Sequence, residues 1–166
     1  ACGVDIVGPS NLITLLETIP PYWAPSINLF TKRVGDHRTE EGRAFLESRS
    51  PLRLADKISK PLLIAQGAND PRVKQSESDQ IVEAMHKKEI PVTYALYPDE
   101  GHGFARPENR LSFYAVAESF LGKCLDGKVQ PIGNDFSGSS ITIPHGKEQV
   151  CGLSEALEGQ NINSAD

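Results

Sequence analysis

The fold is decided by Gln66-Gly67-Ala68-Asn69-Asp70-Pro71-Arg72-Val73, which follows directly on the apolar run Leu62–Ala65. An apolar run that passes into Gly, Asn, Asp and Pro predicts a buried strand and then a turn. A second stretch repeats the arrangement, because Glu100-Gly101-His102-Gly103-Phe104 comes shortly after the apolar run Val92–Tyr97. Each stretch therefore places one ionisable side chain, Asp70 or His102, on a turn after a strand.

Strands and helices alternate along the chain. Apolar runs bounded by turn residues predict strands over Gly3–Val7, Leu62–Gln66 and Val92–Tyr97. Helical periodicity predicts helices over Ser76–Lys88 and Glu108–Leu125. Alternation with connections this long is typical of an α/β fold with parallel strands flanked by helices.

Two segments depart from this alternation. Pro9–Ser50 holds helical fragments but no strand, so it forms an excursion that either lines a ligand crevice or serves as packing. Beyond Gly127 the composition shifts to Gly, Ser, Asn and Pro. We expect residues 1–126 to form the α/β domain and residues 127–166 an extension, with a short strand near Ser139–Pro144 and a disordered end from about Gly159.

Composition excludes several classes of function. With 166 residues, a net charge of −5 and 39% hydrophobic residues, the chain is an ordinary acidic globular domain. This charge argues against a nucleic-acid partner, and the apolar runs are far shorter than the ~20 residues that cross a bilayer. The compartment stays open between cytoplasm and periplasm. The chain begins at Ala1 and enters a strand at once, so we expect a piece of a longer protein.

The three cysteines, Cys2, Cys124 and Cys151, are widely spaced. No C-x-x-C pair or neighbouring paired histidine accompanies them, so the spacing indicates neither a zinc site nor a disulfide framework. The sequence favours three inert thiols.

Asp70 and His102 together suggest a catalytic relay. A carboxylate on a loop can accept the Nδ1 proton of an imidazole and stabilise the imidazolium that forms during proton transfer. Taken alone, Asp70 is better explained as the cap of a helix that begins near Val73 to Gln75, and a lone histidine is usually an uninvolved surface residue. The glycines on both sides of His102 favour the relay, because they let a substrate approach closely. His37, His86 and His145 lack such a setting and are assigned to the surface.

A relay needs a nucleophile, and the chain holds no G-x-S-x-G elbow that would supply a serine. The nearest approximations, around Ser10, Ser139 and Ser154, all lack the second glycine. The order Asp then His nevertheless fits the last two members of an α/β-hydrolase triad.

These motifs resemble the C-terminal half of the catalytic domain of the prolyl oligopeptidase family of serine peptidases, which includes dipeptidyl-peptidases and acylaminoacyl-peptidases. The resemblance runs from Ala1 to about Cys124, through Pro20–Trp23, Ser50–Leu52, Lys60–Ile64, Gly67–Val73 and Glu100–Phe104. It implies an α/β-hydrolase fold, Asp70 and His102 as triad members, and a serine upstream of Ala1. The serine, the oxyanion-hole donors and the family's β-propeller are absent from this sequence.

The resemblance also implies substrate-binding roles. Arg72 matches an arginine that binds a substrate backbone carbonyl in the family, and its alternative is a surface salt bridge. Trp23 and Tyr22 border the pocket for the side chain before the scissile bond, or else act as a plug between helices. No metal or organic cofactor is expected.

The sequence therefore predicts a serine peptidase that acts on oligopeptides through an acyl-enzyme, with this chain inactive by itself. Its expected partners are a peptide substrate and the missing N-terminal half of the catalytic domain, with a homo-oligomer as a further possibility. Two alternatives stay open. One is a non-catalytic assembly module that docks through its sheet edge; the other is a carboxylesterase on the same fold, which Arg72 disfavours because an ester lacks the extra backbone carbonyl.

Overall fold

A four-stranded sheet lies at the centre of the computed structural model, which describes residues 1–163 and the side chains of residues 1–159. The strands are β1 (Gly3–Ile6), β2 (Leu62–Gly67), β3 (Val92–Tyr97) and β4 (Thr142–His145), in that spatial order. The first three are mutually parallel, so the predicted α/β fold with parallel strands flanked by helices is confirmed.

The burial of each strand follows its place in the sheet. β2 and β3 are buried almost throughout, as expected for parallel strands that helices cover on both faces. β1 alternates between half-buried and exposed residues, and Val4 and Ile6 are 36% and 46% exposed. Within the described residues, β1 is therefore an edge strand with one unpaired side.

Within residues 1–163, six α-helices surround or extend from the sheet. They are α1 (Leu12–Glu17), α2 (Ile27–Arg33), α3 (Glu40–Arg49), α4 (Gln75–His86), α5 (Pro107–Leu125) and α6 (Leu153–Asn163). Short 3₁₀ helices span Pro21–Ser26, Pro51–Lys57 and Lys147–Gln149. The bounds of α4 and α5 lie within two residues of the predicted helices, and α1 to α3 fill the predicted excursion between β1 and β2.

The core has two parts, one on each face of the sheet. Leu63 and Ala65 of β2 pack in the cluster that includes Phe113 and Val116 of α5. Ile64, between them, belongs to the opposite cluster with residues of α4. Since successive side chains of a strand point to opposite faces, α4 and α5 cover the two sides of the same strands.

The C-terminal extension adds β4 to β3 in the antiparallel direction, with Leu96 paired with Thr142 and Tyr94 with His145. After α5 the chain returns to the end of the sheet where β3 finishes, so β4 starts there and runs back along its neighbour. Ile132 and Phe136 of the extension are buried in the core beside α5. The end expected to be disordered from about Gly159 overlaps α6, which reaches Asn163; residues 164–166 lie outside the described part of the chain.

The expectation of three inert thiols is wrong for two of them. Cys2, just before β1, forms a disulfide with Cys124 near the end of α5, with their Cα atoms 6.2 Å apart. Their separation of 122 positions gives no local signal for pairing, and the two come together only because Cys2 packs against the core cluster that includes residues of α5. Cys151 is a free, exposed cysteine.

Among residues 1–163, no helix has the length and apolar character needed to cross a bilayer.

Replacing Cys124 by serine should lower the free energy of unfolding by roughly 2–5 kcal/mol, because a cross-link across so long a loop restricts the unfolded chain. Urea unfolding of the oxidised protein measures the difference, and Cys151→Ser is the matched control, expected within about 0.5 kcal/mol of the parent. Equal midpoints for Cys124→Ser and the parent, or three titratable thiols in the unfolded parent, would contradict the disulfide.

Candidate functional site

The turn after β2 holds Asp70 in a fixed orientation. Asp70 is 2% exposed, and its Oδ1 accepts hydrogen bonds from the backbone N–H groups of Arg72 at 2.8 Å and Val73 at 3.0 Å. These bonds close an Asx-type turn rather than a helix cap, because α4 begins later with Lys74 at its N-cap. The capping alternative for Asp70 is therefore replaced by a local turn that leaves Oδ2 available.

The turn after β3 carries His102 between two glycines. Gly103 has φ +104°, a conformation that favours glycine, and Gly101 and Gly103 form an isolated antiparallel bridge around His102. Backbone hydrogen bonds join this turn to the first one. The Ala68 N–H donates to the Tyr97 carbonyl oxygen at 3.0 Å, and the Asn69 N–H donates to the Glu100 carbonyl oxygen at 2.9 Å. The two turns are therefore joined through their backbones at one edge of the sheet.

The structure brings Asp70 and His102 together. His102 Nδ1 lies 2.8 Å from Asp70 Oδ2, with the Asp70 side chain fully buried and the imidazole side chain 32% exposed. Because an ionised carboxylate only accepts hydrogen bonds, Nδ1 is the donor in this pair, and in the neutral imidazole Nε2 then keeps its lone pair. The arrangement can take a proton at Nε2 and stabilise the resulting imidazolium through Asp70.

Two further carboxylates support this edge, and sequence reasoning missed both. Glu100, 2% exposed, accepts hydrogen bonds from the N–H groups of Ala105 at 2.7 Å and Arg106 at 2.9 Å. Glu77, in the first turn of α4, is fully buried and accepts from the N–H groups of Ser10 and Asn11. Glu77 thereby fastens the start of the excursion to the helix that follows Asp70. An acidic residue gives no sequence signal of burial, because most acidic residues are exposed.

Arg72, Trp23 and Tyr22 also lie together. The Arg72 guanidinium carbon is 5.9 Å from the centroid of the Trp23 ring, a cation–π contact beside the Asp70 turn. Trp23 stacks on Phe30 at 5.6 Å, and Tyr22 meets Trp23 edge-on at 6.2 Å and is 58% exposed. The excursion thus carries an aromatic group next to the candidate relay. Phe30 had no motif to mark it.

In the part of the chain that the structure describes, no group of three or more His, Cys, Asp or Glu side chains is arranged to hold a metal ion. Two of the remaining histidines, His86 and His145, contact each other, with ring centroids 5.3 Å apart.

Comparisons with known proteins find peptidases that are similar to this chain over most of its length. The family model described as "Prolyl oligopeptidase family" matches residues 16–128. The chain is 66% identical over 159 residues to dipeptidyl aminopeptidase BIII of Pseudoxanthomonas mexicana, covering 96% of this chain and 23% of that protein. It is 60% identical over 167 aligned residues to dipeptidyl peptidase family member 6 of Caenorhabditis elegans, covering 99% of this chain and 22% of that protein.

A solved structure gives the same picture. A puromycin-hydrolyzing peptidase of Mycobacterium tuberculosis superposes with a TM-score of 0.68 at 28% identity, over 78% of this chain and 19% of that one. The chain therefore spans about a fifth of the length of the relatives that it matches.

Asp70→Asn should reverse the proton position on His102. The new amide can keep its oxygen on the Arg72 and Val73 N–H groups, so its NH₂ group faces the imidazole and the proton moves from Nδ1 to Nε2. Imidazole ¹⁵N chemical shifts measure the tautomer, and the signals of His37 serve as an internal control. An Nδ1-protonated His102 in the variant would contradict the described hydrogen bond.

The stability contribution of Asp99, beside Glu100, should depend on pH. Hydrogen bonds from Ser140, Arg106 and Asn109 hold the pKa of Asp99 below its ordinary value of 3.8. A lowered folded pKa adds stability above the unfolded pKa, and that stability is lost as pH falls through the folded value. The parent should therefore exceed Asp99→Asn in stability at neutral pH, by a margin that narrows below about pH 4. Unfolding midpoints across this range measure the margin, and a pH-independent difference would contradict the assignment.

Proposed function

This chain belongs to the prolyl oligopeptidase family, and we propose that within a longer protein it supplies the aspartate and histidine of a serine peptidase triad. The observation that carries the proposal is the 2.8 Å hydrogen bond between the buried Asp70 carboxylate and Nδ1 of the partly exposed His102 imidazole. This pairing leaves Nε2 as the basic atom, on a ring that solvent and substrate can reach. It is the protonation state that a general base needs.

The proposed reaction proceeds through an acyl-enzyme. A serine hydroxyl from the upstream part of the protein attacks the carbonyl carbon of a peptide bond, and its proton passes to Nε2 of His102. The imidazolium, stabilised by Asp70, then protonates the leaving amine as the C–N bond breaks. Water attacks the acyl carbon in the second half and gives a proton to Nε2. The bond between the acyl carbon and the serine oxygen then breaks, and His102 returns that proton to the serine oxygen as the carboxylic acid product leaves.

Oligopeptides are the proposed substrates, as the names of the dipeptidyl aminopeptidase and dipeptidyl peptidase relatives suggest. Arg72 lies two residues after Asp70, and stacking on Trp23 restricts its guanidinium, which lowers the entropy lost when its donors bind a substrate carbonyl. Trp23 and Tyr22 then form the wall of the adjoining pocket. A carboxylesterase would gain little from Arg72, so ester and peptide substrates are best compared directly.

The rest of the catalytic sheet is the proposed partner of β1. The outer side of β1 is unpaired within the described residues, and Val4 and Ile6 are exposed there. Unpaired backbone and apolar side chains on an edge favour association with another strand. The chain alone should lack peptidase activity, because its sequence holds no nucleophile elbow.

Variants of His102 and Asp70 in the protein extended through its upstream region test the proposal. Asp70→Asn should lower kcat about 10⁴-fold, and His102→Ala should lower it at least as much and abolish fluorophosphonate labelling of the serine. His37→Ala is the matched control and should retain full labelling. Labelling that persists in His102→Ala, or an extended protein that never labels, would overturn the proposal.

Light scattering of the chain alone separates catalysis from assembly. Self-association that rises with concentration and disappears in Ile6→Lys supports an open β1 edge. If the extended protein instead stays inactive while the chain forms defined oligomers, the non-catalytic assembly module takes its place.

A further inference from the structure

Asn109 of α5 joins the His102 turn to the C-terminal extension. Its side chain is fully buried. Its Nδ2 donates to Glu100 Oε1 at 2.8 Å and to Asp99 Oδ1 at 3.0 Å. Its Oδ1 accepts from the backbone N–H of Ser140 at 2.9 Å and from Ser139 Oγ at 3.0 Å. The Ser140 hydroxyl also donates to Oδ1, at 3.3 Å. The amide nitrogen thus binds the Asp99 and Glu100 side chains, and the amide oxygen binds the extension.

Glu100 connects Asn109 to the loop that carries the His102 imidazole. It lies two residues before His102, and its carboxylate binds the backbone N–H groups of Ala105 and Arg106, which follow His102. The short loop that carries the imidazole is therefore closed on both sides by one carboxylate. Asn109 donates to Oε1, the same oxygen that accepts from Arg106, and so fixes the carboxylate relative to α5.

The extension holds the other side of the same loop. Arg106 Nη2 donates to the Gly138 carbonyl at 2.7 Å, and the Ser140 hydroxyl donates to the Asp99 carboxylate. The turn 138–140 is itself anchored by Phe136 and Ile141, which are 2% and 3% exposed. Asp99 before His102 and Arg106 after it are thus bound to residues that lie 41 and 32 positions further along the chain.

We propose that Asn109 and Glu100 are positioning residues that keep the His102 imidazole within hydrogen-bond reach of Asp70, and that the turn 138–140 of the extension belongs to this device. The effect of these residues on catalysis rests on the proposed function. Their effect on the position of the imidazole is independent of it. A displacement of about 1 Å at a reacting group lowers a rate on the order of 10²-fold, so a buried anchor of this kind has a measurable effect.

Asn109→Asp tests the proposal with almost no change in shape. The substitution exchanges the NH₂ donor for an oxygen that faces the carboxylates of Asp99 and Glu100, so repulsion replaces two hydrogen bonds. In the chain alone, His102 should lose its predominantly Nδ1-protonated ¹⁵N signature, while the amide signals of β2 and β3 stay at their parent positions. In the extended protein, kcat should fall about 10–100-fold with KM within about twofold.

Ser140→Ala and Lys123→Ala complete the experiment. Ser140→Ala removes one hydroxyl of the network. It should shift the ¹⁵N signals of His102 in the same direction as Asn109→Asp, but by a smaller amount. This second variant keeps the proposal testable if Asn109→Asp does not fold. Lys123→Ala is the matched control, because Lys123 Nζ bonds the Gln149 carbonyl at 2.7 Å and so also ties α5 to the extension, near its other end. It should leave His102 unchanged.

Two results would overturn the positioning role. One is a folded Asn109→Asp variant whose His102 signals match the parent, and the other is an equal effect of Lys123→Ala. Failure of the proposed function looks different: His102→Ala would then leave the extended protein active, whereas the ¹⁵N spectra would still report whether Asn109 places the imidazole.

Discussion

The parallel register of β2 and β3 is the constraint on which the site depends. Gly67 pairs with Tyr97 at the last position of both strands, so the two strands end at the same level and their turns emerge side by side. A Cβ on Gly67 would collide with the backbone of Glu100 and Gly101, which shows how closely the turns approach. A shift of two residues in this register would move the Asp70 turn about 6–7 Å along the strand, beyond hydrogen-bond reach of the imidazole.

Buried carboxylates then fix what the register brings together. Asp70, Glu77 and Glu100 are each at most 2% exposed. Burial of a carboxylate is costly unless hydrogen bonds replace its water, and each of the three accepts at least two backbone N–H groups. Because these donors come from defined backbone positions, the same bonds that offset the cost of burial also determine the course of the turns. Stability and geometry are provided by the same interactions at this edge.

The sequence predicted those parts of the molecule that local patterns specify. The bounds of β1, β2 and β3, the helices α4 and α5, and the nearness of the Asp70 and His102 turns follow from apolar periodicity and turn residues. The strand expected near Ser139–Pro144 instead covers Thr142–His145. The Cys2–Cys124 disulfide, the antiparallel direction of β4 and the partners of Glu77 and Glu100 depend on segments far apart in the chain. No local pattern carries that information. Asn109 is an example. A polar residue in a helix is expected to face solvent, and only the packing of the distant extension against α5 buries this one.

The Cys2–Cys124 disulfide has one more consequence. It closes a covalent ring that contains both Asp70 and His102, whereas the extension lies outside. A protease that cuts once in an exposed loop within the ring opens it without releasing a fragment, so carboxylate and imidazole remain in the same molecule until the sulfur bridge is reduced. A single cut behind Cys124 would instead leave the segment that packs against the imidazole turn held by non-covalent contacts alone. The disulfide therefore keeps the chain in one piece after a single cut between Cys2 and Cys124, the part that holds Asp70 and His102, but not after a cut in the extension.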